Sequence, residues 1–171
     1  MIMVLFLHYL IRSFRRLTIY QEEDSQRTNP LKCHRELLRL SYLINMVSLL
    51  LIVKNNQFLL FKRDMSGTHA GMYGFVGGTS EKNETPTETL IREVREEIGM
   101  NIYNVQFLKR YNNKGKIMNM FFIIDNDFNE QDIRLSEEHT SWKYFTYYEL
   151  LQNREVIPTT IDIVNDFLRT Q

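Results

Sequence analysis

The period of apolar positions changes several times along the chain, and the changes mark its elements. Residues 47–53 are apolar almost without a break. Lys54-Asn55-Asn56-Gln57 interrupts them, and 58–61 resumes them. Two apolar runs around a polar turn predict a β-hairpin. Residues 72–78 predict a further strand that runs into a tight glycine turn. Leu90, Ile91, Val94 and Ile98 then recur at helical spacing and fall on one stripe at about 100° per residue. Thr85 suits the N-cap and Pro86 the first helical position. Glu88 completes a capping box, and Gly99 is a natural left-handed stop. Residues 102–111 and 117–124 predict two strands around an Asn112-Asn113-Lys114-Gly115 turn. The stretch 125–136 is polar and reads as a mobile loop. A strand at 142–145 and helices at 148–151 and 160–168 follow. Together these elements predict an α+β fold with a mixed, curved sheet between helices.

The first 45 residues follow another pattern. Residues 1–11 are apolar apart from His8, and Arg12, Arg15 and Arg16 come next. Eleven apolar residues are too few to span a bilayer, and basic residues after the run, with no small-residue cleavage site, do not fit a secretory signal. Three readings stay open: a helix packed on the domain or a partner, a segment on a membrane surface, or a weakly structured extension ahead of Met46. Residues 21–30 read as a linker and 31–45 as a second helix. The expected organisation is a helical N-terminal extension over 1–45 and a globular domain over 46–171.

Composition narrows the class. The chain has 171 residues, 43% hydrophobic, enough for one packed core. Its formal net charge is zero, so no nucleic-acid polymer is expected as a partner. Residues 1–45 carry seven Lys/Arg and four Asp/Glu, a net of +3, which leaves −3 for the rest. That excess is compatible with weak contact between residues 1–17 and a membrane surface. Cys33 is the single cysteine and cannot form an internal disulfide, which fits a reducing, cytoplasmic setting. Cys33 and His34 have no neighbours to complete a zinc site.

The candidate chemistry lies on the predicted helix at 86–98. Glu93, Glu96 and Glu97 share a face beside the apolar stripe. Like charges three and four apart repel by a few tenths of a kcal/mol per pair. Arg92 and Arg95 relieve part of this, and a divalent cation is the other remedy, since hard cations take oxygen ligands and bridge carboxylates to phosphates. A solvated acidic face and a cation site are both consistent with these residues alone.

The spacing is specific. Gly78, five residues, Glu84, seven residues, then Arg92-Glu93-Val94-Arg95-Glu96-Glu97-Ile98-Gly99-Met100 resembles the Nudix box of the Nudix hydrolases, in particular MutT-like single-domain members. The resemblance implies an α/β/α sandwich and a metal-dependent pyrophosphohydrolase. Its substrate would be a nucleoside diphosphate linked to another group, with nucleoside triphosphates, oxidised ones included, ahead of nucleotide sugars. It implies Mg (or Mn) as cofactor, held by Glu93, Glu96, Glu97 and the Gly77 carbonyl, with Glu84 completing the shell through water. Arg92 would orient a glutamate. A box carboxylate, Glu137 or Glu138 would take the proton from the attacking water. Lys62 or Arg63 would face the phosphates, with ordinary surface charge as the other reading. Tyr73, Phe75, Tyr144 and Tyr147 could stack on a base or pack in the core. His69 reads as a solvated loop residue, with a phosphate contact or a base as the other readings, and Trp142 as core rather than a substrate platform. Val76 stands where many relatives have proline. A homodimer is compatible with the chain. A nucleotide-binding sensor that does not hydrolyse stays as the alternative.

Overall fold

The computed structural model describes residues 46–113, 116–125 and 128–171. The expectations for 1–45 and for the turn tip at 114–115 lie outside these residues. Among the described residues no helix is long and apolar enough to cross a membrane.

β1 (Met46–Lys54) is the central strand. Its apolar run is continuous because both faces are covered. Leu50 and Ile52 point into one core, and Leu51 and Val53 into the other. On one edge it pairs in parallel with β6 (Lys116–Ile124), from Met46↔Ile117 to Val53↔Ile124. β6 in turn pairs with the antiparallel edge strand β5 (Gln106–Asn113).

The other edge of β1 is shared, and this positions the site. β2 (Gln57–Arg63) pairs with β1 only over Ile52↔Leu59 to Lys54↔Gln57. The turn between them holds Asn55 and Asn56 at φ 50° and 60°, the left-handed pair that a two-residue hairpin needs. Beyond Ile52 the two strands part, and a second segment fills the gap. Its first piece, β3 (Tyr73–Gly74), pairs with β2. Its second, β4 (Val76–Thr79), pairs with β1 from Leu50↔Val76 to Val47↔Thr79. The strand expected at 72–78 is thus split at Phe75. β7 (His139–Phe145) closes the far edge of β2. The sheet is mixed, as expected.

α1 (Pro86–Ile98) covers one face. It starts and stops where the sequence says. The Thr85 side chain accepts from the Glu88 N–H, the Glu88 carboxylate returns the bond, and Gly99 sits at φ 71°. Leu90, Val94 and Ile98 are fully buried against Leu50, Ile52, Leu59, Phe61 and Val76, each contributing on the order of 1.5–3 kcal/mol. α2 (Tyr147–Gln152) and α3 (Pro158–Leu168) cover the other face, where Leu150, Ile163, Val164 and Phe167 meet Leu51, Val53, Phe58, Leu60 and Phe122. The result is the α/β/α sandwich.

Two expectations need correction. β5 begins at Gln106, not 102, because Asn104 turns left-handed at φ 56° and breaks the extended run. Ile102 still packs into the α1-side core. Within the polar stretch 125–136, the described residues from 128 onward are anchored. Phe128 and Ile133 are buried in that same core on either side of a 3₁₀ turn (Glu130–Asp132), and Lys54 pairs with Glu130 at 2.8 Å.

Candidate active site

Arg92 organises the acidic face of α1. Its Nε donates to Glu84 at 2.7 Å, and one terminal nitrogen donates to Glu93 at 2.9 Å and Glu96 at 3.0 Å. The other terminal nitrogen donates to Glu84 and to the Thr79 carbonyl, each at 3.0 Å. The planar fork thereby ties the loop before α1, the end of β4 and two glutamates together. Glu84 is held down to about 2, chiefly by Arg92, and it also accepts from the Glu81 N–H and the Thr89 hydroxyl. Both of its oxygens accept from Arg92. Arg92 also contacts Glu93 and Glu96, two of the expected cation ligands.

Glu97 is buried, at 4% exposure, although it is a carboxylate in a globular core. Its Oε2 accepts the Gly77 N–H at 3.0 Å and lies 3.0 Å from His139 Nε2. The ladder makes the first bond available. Ser80 N–H bonds to the Met46 carbonyl, so by alternation the Gly77 N–H, opposite Leu49, points away from β1. The backbone after the 3₁₀ turn also docks on the end of α1, with Arg134 N–H on the Ile98 carbonyl and Ser136 N–H on the Glu97 carbonyl, each at 2.8 Å. Sequence reasoning did not find His139. Its partner is 42 positions away, and no local pattern links them.

Glu93 lies half under β4. A side chain on Gly78 would meet the Glu93 carboxyl carbon at 2.5 Å, so the missing Cβ is the space the carboxylate uses. Burial pushes the Glu93 carboxyl up, against the pull of Arg92. Glu96 is the exposed member, with 58% of its side chain accessible. Among the described residues no three metal-binding side chains already converge on one point. The guanidinium of Arg92 bridges Glu93 and Glu96 instead. The donor set nonetheless suits a hard divalent cation. Its atoms are carboxylate oxygens, and a partly desolvated carboxylate lies in a cradle that only glycine leaves open.

A cavity of about 500 Å³ opens beside Gly77 and Gly78 on the α3 side of the sheet. Val47, Leu49, Phe75, Met118 and Ile163 give it an apolar wall. Arg63, His69 and Lys116 add basic groups, and Thr68, Thr79, Thr159 and Thr160 add hydroxyls. Of the four predicted substrate contacts, Arg63 and Phe75 line this cavity. Lys62 instead pairs with Glu155 at 3.0 Å and lies over the Tyr73 ring. Tyr73 packs edge-on against Phe145 with ring centres 5.0 Å apart. Tyr144 and Trp142 pack against the α1-side core, and the Tyr147 hydroxyl donates to Asn165. His69, exposed in a left-handed turn at φ 60°, lies at the lining of the cavity. Glu137 and Glu138 are exposed and bracketed by Ser136 and His139, both bonded to Glu97.

An α/β/α sandwich with a carboxylate-bearing helix beneath a glycine turn is the structural class of this chain. The sequence comparison gives that class its family. The profile of the NUDIX domain matches residues 44–167, and the chain belongs to that family, the Nudix hydrolases. A curated relative, the 8-oxo-dGTP diphosphatase of Proteus vulgaris, is 39% identical over 49 residues, 29% of this chain and 44% of that protein. The CTP pyrophosphohydrolase of Escherichia coli (strain K12) is 36% identical over 50 residues, 29% of this chain and 37% of that protein. The match thus spans less than half the length of these relatives. Among solved structures, the MutT protein from Methanosarcina mazei Go1 superposes with a TM-score of 0.58 at 22% identity, covering 73% of this chain and 93% of that one. A C. elegans Ap4A hydrolase does so with a TM-score of 0.59 at 17% identity, covering 72% and 96%. At these identities the likeness concerns the fold.

Proposed function

We propose that the protein is a divalent-cation-dependent pyrophosphohydrolase. It cleaves a nucleoside diphosphate linked to another group, with nucleoside triphosphates as the leading class, and it releases a nucleotide. One observation carries the reading. Glu93 and Glu97 are fixed beneath Gly77 and Gly78, and the same two glycines line a cavity with an apolar wall that includes Phe75 and with basic groups. Support for triphosphates comes from the two curated relatives, both named for hydrolysis of nucleoside triphosphates.

The residues divide the work. Glu93, Glu96, Glu97 and the Gly77 carbonyl would hold Mg²⁺ or Mn²⁺. The bound ion would supply charge neutralisation at the phosphoryl oxygens and acidify a water. Phe75 gives the base an apolar surface, and Arg63 and His69 meet the phosphates. Arg92 sets the rotamers of Glu93 and Glu96. Glu137 and Glu138 stay close to Glu97 through their bracketing neighbours, which suits a group that removes a proton from water. A general base typically contributes 10²–10⁴ in rate, so positioning and charge neutralisation supply the larger share. The domain carrying this activity is taken as 46–171, and the lone Cys33 supports a cytoplasmic setting.

The test is a Mg²⁺- or Mn²⁺-supplemented panel of nucleoside triphosphates, 8-oxo-guanine forms included, with nucleotide sugars and dinucleoside polyphosphates beside them. Products are identified by mass. Release of a nucleoside monophosphate supports the proposal. Tight nucleotide binding by calorimetry with no bond cleaved on any substrate would favour the non-hydrolysing sensor.

A further inference from the structure

We infer that His139 is a positioning residue for Glu97: with the Gly77 N–H it occupies Oε2 and leaves Oε1 as the one oxygen that Glu97 offers to a divalent cation. The inference rests on reading the acidic face of α1 as a cation site. It goes beyond that reading by naming which atom binds and what holds it.

The geometry is specific to this role. Both side chains are almost wholly buried, at 1% and 5% accessibility. Oε2 accepts from the Gly77 amide at the end of the sheet and lies 3.0 Å from the imidazole Nε2 at the start of β7. Among the described residues none donates to Oε1. The other ring nitrogen of His139, Nδ1, is buried without a hydrogen-bond partner among the described residues. The tautomer that fits places the ring proton on Nε2, facing the carboxylate, and leaves a bare lone pair at Nδ1. The Phe61 ring, 5.6 Å away and tilted by 49°, fixes the plane of the imidazole.

The backbone adds a second hold. Ser136 N–H bonds to the Glu97 carbonyl three residues before His139 reaches the Glu97 side chain. Two residues three positions apart, Ser136 and His139, therefore hold the backbone and the side chain of one glutamate. A residue serving packing alone would need no donor 3.0 Å from a buried carboxylate, and phenylalanine would fill the space.

The substitutions that separate the two roles are His139→Phe and His139→Gln in the full chain. Phenylalanine keeps the ring volume and removes the donor. Glutamine gives up the ring and can place an amide N–H near the Nε2 position. Mn²⁺ binding by electron paramagnetic resonance is read beside kcat, KM and thermal melting. Loss of a hydrogen-bond partner to a ligand typically costs 10–100-fold in metal affinity or activity, so His139→Phe is expected to weaken Mn²⁺ by ~10–100-fold and to lower kcat more than it raises KM. His139→Gln is expected to recover Mn²⁺ affinity to within roughly fivefold of the unmodified protein, despite the poorer packing. Equal Mn²⁺ affinity in His139→Phe and the unmodified protein, or a glutamine variant no better than phenylalanine, overturns the assignment. If His139→Phe fails to fold, the ¹⁵N imidazole spectrum of the unmodified protein decides. An Nε2-protonated ring that shifts on Mg²⁺ addition supports the role; an Nδ1-protonated or unresponsive ring refutes it. If the unmodified protein binds Mn²⁺ in the expected order but cleaves nothing in the substrate panel, the hydrolase reading falls and this one stands.

Discussion

The Glu93 carboxylate lies in the space that a side chain on Gly78 would take, 2.5 Å from the position of its Cβ. Gly77, one residue earlier, is constrained differently. It sits at φ 127°, and a Cβ there would come within 2.1 Å of the Ser48 carbonyl oxygen in β1. The two glycines should therefore fail differently. Gly78→Ala displaces the far end of a flexible side chain, so turnover falls by about tenfold or more while the melting temperature stays within a few degrees. Gly77→Ala strains the backbone and collides with the central strand, at a cost of about 3 kcal/mol or more of stability. Urea unfolding and steady-state kinetics on the pair check this. A Gly78→Ala protein with full turnover would remove Glu93 from the site.

Glu97→Gln separates charge from hydrogen bonding. The amide oxygen can accept from Gly77 and His139, and the amide nitrogen replaces Oε1. Folding is expected to survive, with kcat lower by about 10²–10³ and weaker Mn²⁺ binding. Near-normal turnover would mean that another group holds the ion.

Glu84 makes the acid limb of stability predictable. Its folded value is about 2, below the ordinary 4.5, because Arg92 donates to it. A lowered carboxylate stabilises the fold above pH 4.5, and the contribution drains away as pH falls toward 2. About 1–2 kcal/mol is expected from this group, less than the full shift implies, since the pair is partly solvated. In Glu84→Gln the difference between unfolding free energies at pH 6 and pH 3 should shrink by that amount. An unchanged difference would show that the pair contributes nothing.

Adjacent basic residues on β2 should separate in kinetics. Arg63 lines the cavity, and Lys62 is occupied by Glu155. Arg63→Ala is expected to raise KM by about 5–50-fold, as loss of a charge-assisted contact does, whereas Lys62→Ala shifts KM by less than about twofold. The reverse order would place the phosphates on the other side of β2.

The fold was legible where the chain reports on its neighbours in sequence. Thr85, Pro86, Glu88 and Gly99 set both ends of α1, and Asn55-Asn56 set the first hairpin. The spacing of Glu93, Glu96 and Glu97 located the acidic face. Contacts between distant positions were not legible. Nothing near His139 names Glu97, and nothing near Lys62 names Glu155. Phe128 and Ile133 were hidden in a polar stretch because two anchors five positions apart make no period. The parting of β1 from β2, which creates the cleft, comes from the insertion of β3–β4, a matter of pairing that no single run of residues encodes.

The sandwich places the carboxylates and the cavity on opposite sides of one sheet, joined at the tip of β4. Leu49, Phe75 and Ile163 belong to the α3-side core and not to the core that α1 packs against. On the proposed function, what is gripped and how it is cut would be separately adjustable, and a library confined to the α3 side should yield altered preferences without disarming the cutting edge.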